Sequence, residues 1–296
     1  MLEDLIYIHQ QVLPLIPTHQ VRYLFDQVNW KDQSICILGG RGVGKTTLIC
    51  QALLKYYPSI DEGLYLSADN AHVLSQGLFE IAREYFSLGG RALFIDEVHK
   101  YPDWEQTIKN LIDTYRDRQF IFSGSSSLDL KNSQYDLSRR VVYYELRGLS
   151  FREYLDFANI IQVPRVTLDD ILTKHMQLSE QLRGLTILKH FSHYLMRGYF
   201  PFFLEGEPSY LSKLSNVIEK VISEDIAFVY NVKQTTLPLL KKLLWLVATA
   251  NSGLFPNIDR ISKDLRVSRE GIYNAFMYLE KAGLLRNIHE DATDSN

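Results

Sequence analysis

Residues 39–46 read Gly-Gly-Arg-Gly-Val-Gly-Lys-Thr, and this octapeptide constrains the chain more than any other stretch. It fits the spacing G-x-x-x-x-G-K-[ST] and lies between a short apolar run, Ser34–Leu38, and a segment in which Leu48, Ile49, Ala52, Leu53 and Tyr56 recur at helical spacing. Glycines allow successive backbone N–H groups to turn inward around phosphate oxygens. The start of the following helix adds partial positive charge, and a lysine there neutralises β- and γ-phosphates. The segment therefore reads as strand, phosphate loop and helix. Gly39, Gly40, Arg41, Gly42, Val43, Gly44, Lys45, Thr46 and Thr47 form the nucleotide-contacting set, with the Thr46 hydroxyl offered to Mg²⁺.

A second motif stands about fifty residues on. Ala92-Leu-Phe-Ile95 is an apolar run ending in Asp96-Glu97, and adjacent carboxylates at the end of a buried strand need a reason to be there. Read beside the phosphate loop, Asp96 is a metal ligand and Glu97 the group that polarises an attacking water. Further short apolar runs at Leu64–Leu66, Phe120–Phe122 and Val141–Leu146 alternate with helical segments at about 46–57, 71–87 and 103–116. That alternation predicts an α/β fold of the P-loop NTPase kind: a parallel five-stranded sheet with helices on both faces.

The first 28 residues read as two short amphipathic helices broken by Pro14 and Pro17. After Leu149 the pattern turns all-helical, with amphipathic runs at Ser179–Met196 and Leu211–Tyr230. From Asn257 a short helix (Ile258–Asp264), a turn with Ser268 as N-cap, a longer helix (Arg269–Ala282) and Leu284-Leu285 predict a helix-turn-helix with the start of a wing. The expected division is a nucleotide-binding core with N-terminal helices over 1–149, a helical lid over 150–250 and a winged helix-turn-helix over 251–296, with a frayed tail from Glu290.

These motifs together resemble the prokaryotic archaeal-type AAA+ ATPases, which pair this core with a helical lid and a winged helix. The resemblance rests on Gly39–Leu48, Leu93–Trp104 (LFIDEVHKYPDW), Phe122–Ser126, Arg140–Phe151 with Glu153, and the Gly198-Tyr-Phe-Pro201 turn. It implies Walker A and Walker B elements, ATP with Mg²⁺, and a polar sensor at Ser123 or Ser125. It also implies an arginine at Arg140, seconded by Arg139, that completes a phosphate site in cis or from a neighbouring subunit. The chain departs from the family at His99, where glutamine is usual, and at Tyr199, where the family has Gly-Gly-Phe-Pro. On this reading Lys45, Glu97, Arg140 and Ser125 are catalytic and Thr46 and Asp96 hold the metal. The activity is an ATPase that moves its lid and winged helix with nucleotide state; the alternative is a low-turnover ATP switch that gates DNA or protein contact.

Other classes fit less well. Asp96-Glu-Val-His99 matches the D-E-x-H box of helicases, but only helices follow Leu149 where a helicase needs a second α/β lobe. No Asn-Lys-x-Asp follows Glu97, which favours ATP over GTP, and a small-molecule kinase would need an arginine-rich lid. Residues 257–286 carry six basic and four acidic residues, a weak field for DNA phosphates. If the longer helix entered a groove, Arg269, Glu270, Tyr273 and Asn274 would face the bases. DNA, a protein partner and self-association are the partners to consider besides ATP and ADP.

With a net charge of −3, no apolar run near the roughly 18 residues of a membrane span, and an acidic start at Met1-Leu-Glu-Asp4, the expectation is a cytoplasmic protein without membrane contact. Cys36 and Cys50 read as core hydrophobes, and Trp104 and Trp245 as core anchors on apolar helix faces. His9, His19, His72 and the His190/His193 pair lack partners at metal-ligand spacing.

Overall fold

The computed structural model describes residues 2–125, 137–230, 232–250 and 257–288. Its centre is a sheet of β1 (Ser34–Gly39), β2 (Gly63–Ser67), β3 (Ala92–Asp96), β4 (Gln119–Ser125) and β5 (Val142–Glu145). All neighbours are parallel, in the order β2-β3-β4-β1-β5. The crossovers run through α2 (Lys45–Tyr56), α3 (Ala71–Gln76), α4 (Leu78–Ser87) and α5 (Trp104–Thr114), with α1 (Leu2–Val12) ahead of the sheet. The expected parallel α/β sheet is thus formed.

Its central strands are apolar without interruption because both faces are covered. Period-two alternation sorts them: Cys36, Leu93, Ile95, Phe120 and Phe122 enter the core with α4 and α5. Ile35, Ile37, Phe94 and Ile121 enter the one with α2. Cys36 and Cys50 are fully buried, and burial pushes both thiols far above the usual range, so they act as core hydrophobes. β2 is an edge strand, and the side chain of His9 covers part of that edge: Tyr65 N–H donates to His9 Nδ1 at 3.0 Å.

Beyond the sheet come α6 (Phe151–Phe157), α7 (Leu168–Glu180), α8 (Ile187–Arg197), α9 (Glu207–Lys220), α10 (Ala227–Val229), α11 (Leu237–Ala248), α12 (Ile258–Leu265) and α13 (Arg269–Lys281). A π-helical stretch, Val221–Ile226, joins α9 to α10. Ser150 and Glu153 close a reciprocal capping box that starts α6 where the sheet ends. Ser268 caps α13 by accepting from Gly271 N–H at 3.1 Å. A Cβ on Gly271 would lie 2.8 Å from a Val267 methyl, which accounts for a glycine in the first turn of that helix.

Several expectations are corrected. Ser179–Met196 is not one helix: α7 ends at Glu180 and α8 starts at Ile187, with Gly184 at φ 85° between them. Residues 71–87 break at Gly77, φ 90°, and the second N-terminal helix is only a 3₁₀ turn, Tyr23–Asp26. Trp245 is 68% exposed rather than a core anchor. α11 buries Leu237, Leu240 and Leu243, and a residue two positions past Leu243 points about 200° away. Trp104 does sit in the core.

No wing strand forms among the described residues; Leu284 and Leu285 fold back onto the cluster built by Ile222, Leu240, Leu243, Ile272 and Leu279. That cluster runs from Val217 to Leu285, so the helices on either side of the division expected at 250 share one core. Ser126, Ser127 and the tail from Glu290 lie outside the described residues. Among the described residues no helix is long and apolar enough to cross a membrane, and no group of three or more His, Cys, Asp or Glu could hold a metal ion.

Candidate nucleotide site

The phosphate loop is shaped by its backbone conformation and by a close approach at its start. Gly42 and Gly44 adopt φ of 84° and 97°, a region that favours glycine. A Cβ on Gly39 would lie 2.4 Å from the Leu146 carbonyl oxygen. The loop is also held from outside. Arg22 is 3% exposed; it donates to the Val43 carbonyl at 2.5 Å, to the carbonyls of Arg147 (2.7 Å) and Gly148 (3.1 Å), and to Glu153 at 2.9 Å. Glu153 is buried too, and although burial raises its pKa, Arg22 and backbone N–H groups hold it below the usual carboxylate range.

Lys45 opens α2 and turns its ammonium back onto the carbonyls of Gly39 (3.0 Å) and Gly40 (3.1 Å). The Thr46 hydroxyl donates to Asp96 Oδ2 at 2.6 Å, which brings the loop and the end of β3 together. Ser123 on β4 donates to Asp96 Oδ1 and accepts from Glu97 N–H at 3.0 Å. Tyr65 adds a weaker contact to Asp96 Oδ2 at 3.4 Å, its phenol pushed up first by burial and then by Asp96.

Glu97 has φ 53°, a left-handed kink that turns it away from Asp96 into the space beside Lys45. Its Oε1 lies 4.0 Å from Lys45 Nζ, and its Oε2 lies 3.6 Å from both Lys100 Nζ and His99 Nε2. Burial raises the Glu97 pKa, but the cations around it, Lys45 first and then Lys100 and Arg41, outweigh it and hold the carboxylate ionised. Lys100 is itself anchored to Asp69 at 2.9 Å.

Above the loop lies a cleft of about 440 Å³ whose walls include Pro17, Gln20, Thr47, Phe157, Pro201 and Phe202. Phe200 and Phe202 stack with ring centroids 5.1 Å apart, and the edge of Phe202 faces Gly42. On the other side Arg41 leaves the loop toward the C-terminal helices, pairing with Asp225 Oδ1 at 2.8 Å, Asp225 Oδ2 at 3.4 Å and Glu224 Oε2 at 2.9 Å.

Of the residues expected from sequence, the loop set 39–47, Asp96, Glu97, Ser123 and Ser125 come together. Ser125 pairs with Gly39 across the strands and gives its backbone N–H to His99 Nδ1 at 3.3 Å. Arg140 does not join them. β5 runs beside β1 with Val142 opposite Ile35, so Arg140 lies at the other end of the sheet, about 20 Å along the strands from the loop. There it pairs with Asp113 at 2.7 Å, and Arg139 lies in the same surface hollow. The expectation that Arg140 completes the phosphate site of its own chain is corrected. Sequence reading missed Arg22, Phe157, Phe202 and Asp225. The capping-box spacing Ser150-x-x-Glu153 was visible, but nothing in it points to Arg22.

Residues 31–155 match the family profile described as "AAA domain", and residues 188–293 match one described as "Domain of unknown function (DUF8612)". The chain is 29% identical over 277 residues to the uncharacterized protein MJ1637 of Methanocaldococcus jannaschii, covering 88% of this chain and 58% of that protein. It is 23% identical over 261 residues to the uncharacterized protein MJ1544 of the same organism, covering 84% and 55%. The chain thus spans a little over half the length of these curated relatives. Among solved structures, AMPPCP-bound DnaA from Aquifex aeolicus is similar at a TM-score of 0.36 and 15% identity, covering 96% of this chain and 92% of that one. A RuvB variant from Thermotoga maritima is similar at 0.33 and 15%, covering 97% and 89%. Residues 31–155, the stretch that matches the AAA domain profile, hold the glycine loop, the carboxylate-ended β3 and the five-stranded parallel sheet in the order β2-β3-β4-β1-β5.

Proposed function

We propose that the chain binds ATP with Mg²⁺, hydrolyses its β–γ phosphoanhydride bond, and transmits nucleotide state to the C-terminal helices. The observation that carries this reading is the 2.6 Å contact of Thr46 with Asp96, with Glu97 beside Lys45. Thr46 Oγ1 and Asp96 Oδ2 are hard oxygen donors that suit Mg²⁺, directly or through water. The ion, when bound, neutralises charge on the phosphate oxygens.

The chain's own groups do the rest. Backbone N–H groups of 39–47 cradle the phosphates, and Lys45 exchanges its two carbonyl partners for phosphate oxygens. Glu97 accepts a proton from the water that attacks the γ-phosphorus, while the bond to the bridging oxygen breaks and ADP leaves. Ser123 fixes Asp96, and Ser125 stands at the end of β4 beside the loop. The cleft faced by Phe157 and Phe202 offers apolar walls for the base.

Arg41 is the route of coupling in this reading. Phosphates arriving at the loop compete with Glu224 and Asp225 for its guanidinium, and giving up that clasp frees the helices from α9 to α13. On α12 and α13 the arginines that would meet DNA phosphates are already engaged, Arg260 with Asp264 and Arg269 with Asp259. Arg140, at the far end of the sheet, could reach a phosphate only in a neighbouring copy.

The test is phosphate release from Mg²⁺·ATP by wild type and Glu97→Gln, each with ATP binding measured separately. Turnover should fall at least a hundredfold in the variant with binding retained. Binding without turnover in the wild type would leave the switch alternative in its place, and no binding would defeat the proposal.

A further inference from the structure

His99 lies at the site, and the proposed chemistry does not use it. It lies in the single 3₁₀ turn after β3, Val98–Lys100, and is 3% exposed. Its Nδ1 accepts a hydrogen bond from the Ser125 backbone N–H at 3.3 Å. A ring nitrogen that accepts carries no proton, so the neutral ring carries its proton on Nε2. That Nε2 is buried with no hydrogen-bond partner among the described residues, and the carboxylate it faces is Glu97, with Oε2 at 3.6 Å. An ordinary N–H···O contact is about 2.9 Å, so a movement of well under 1 Å would close it.

The setting of Glu97 gives this donor its role. Its Oε1 faces Lys45, the ammonium that phosphates would draw away, while Oε2 faces His99 and Lys100. Lys100 is a flexible surface cation shared with Asp69, whereas His99 is a rigid ring fixed at its far nitrogen to the end of β4. Burial keeps the His99 pKa below its usual value against the pull of Glu97 and Asp225, so the ring is a neutral donor at neutral pH.

Resting on the hydrolytic reading above, we propose that His99 is a positioning residue. Its Nε2–H takes Oε2 of Glu97 once phosphates occupy the loop, fixing the rotamer that leaves Oε1 to the attacking water. The same ring ties that rotamer to Ser125, so the end of β4 acts on Glu97 through a backbone N–H. A catalytic carboxylate on a left-handed residue with no such stop would swing between Lys45 and Lys100.

The test compares the full chain as wild type, His99→Gln, His99→Leu, Glu97→Gln and the His99→Leu/Glu97→Gln double variant, with kcat, KM and ATP affinity measured for each. His99→Leu should lose ten- to a hundredfold in kcat with KM and affinity within about threefold. His99→Gln, which keeps a donor, should recover most of the loss, and the double variant should be no slower than Glu97→Gln alone. Full activity in His99→Leu beside an inactive Glu97→Gln would overturn the proposal while leaving the hydrolytic reading intact. Full activity in Glu97→Gln would overturn both. The wild-type protein gives a check independent of turnover and of variant folding. Nitrogen-15 shifts of the His99 ring should report a proton on Nε2 and none on Nδ1, and the opposite tautomer would overturn the proposal.

Discussion

Replacing Asp225 by Asn should tighten ATP binding, and the size of the effect follows from the clasp on Arg41. Asp225 is 5% exposed and Arg41 20%, so their pair at 2.8 Å is shielded from bulk water on most sides. Two unit charges about 4 Å apart at an effective dielectric near 20 attract by about 4 kcal/mol. The cost of stripping water from both takes back roughly half. A net figure of about 2 kcal/mol corresponds to a factor of about 30 in the balance between clasped and released forms. If that clasp must open for the loop to accept a triphosphate, Asp225→Asn removes the charge, keeps the shape and lowers the apparent Kd for ATP by up to about 30-fold. Glu224, half exposed, should matter less: Glu224→Gln is expected to move the Kd by no more than about threefold. Calorimetric titration of the full chain with Mg²⁺·ATP measures both, alongside melting curves. An unchanged or weaker affinity in a folded Asp225→Asn protein would refute the competition and with it the route through Arg41.

Glu153→Gln should lower stability by about 3 kcal/mol, because it leaves the buried Arg22 guanidinium without its counter-charge. Denaturant melts check this, and ATP affinity should fall with it since Arg22 also holds Val43. Stability should also drop in mild acid through His9. Burial depresses its folded pKa to about 4, below the roughly 6.5 of an unfolded histidine, so its contribution is complete above pH 6.5. It is lost as pH falls from 6.5 toward 4, where the unfolded chain binds a proton that the folded chain refuses. Melting temperatures of wild type and His9→Gln across that window should converge at the acid end.

The sheet was legible because its signals are local. Each strand is an apolar run bounded by polar or glycine residues, and both phosphate-site motifs have fixed spacings. Lys45, Thr46, Asp96 and Glu97 follow from those spacings alone, and Ser268 as the cap of α13 follows from its place just ahead of a helical run. What was hidden is what depends on distant pairing. Arg22 and Glu153 lie 131 residues apart, and Arg41 and Asp225 lie 184 apart. No periodicity marks either pair, since a buried charge looks like a surface charge until its partner is known. Arg140 was misplaced for a different reason. It precedes the last strand, and in a parallel sheet that order alone puts it at the end away from the loop, which follows β1; the register agrees. Trp245 failed on angle alone: α11 is apolar around much of its circumference, so its buried face is chosen by the neighbours it meets.

Arg22 makes the nucleotide-binding segment less portable than its motif suggests. One guanidinium fastens the stretch ahead of the sheet to the Val43 carbonyl inside the loop, to the carbonyls of Arg147 and Gly148, and to the first turn of α6. The curvature of the glycine loop is therefore set by residues that flank the sheet on both sides in sequence. A fragment trimmed to the strands and their crossovers would keep every glycine and lose the fastening, so the smallest unit able to hold a phosphate in this way extends from before Arg22 to beyond Glu153.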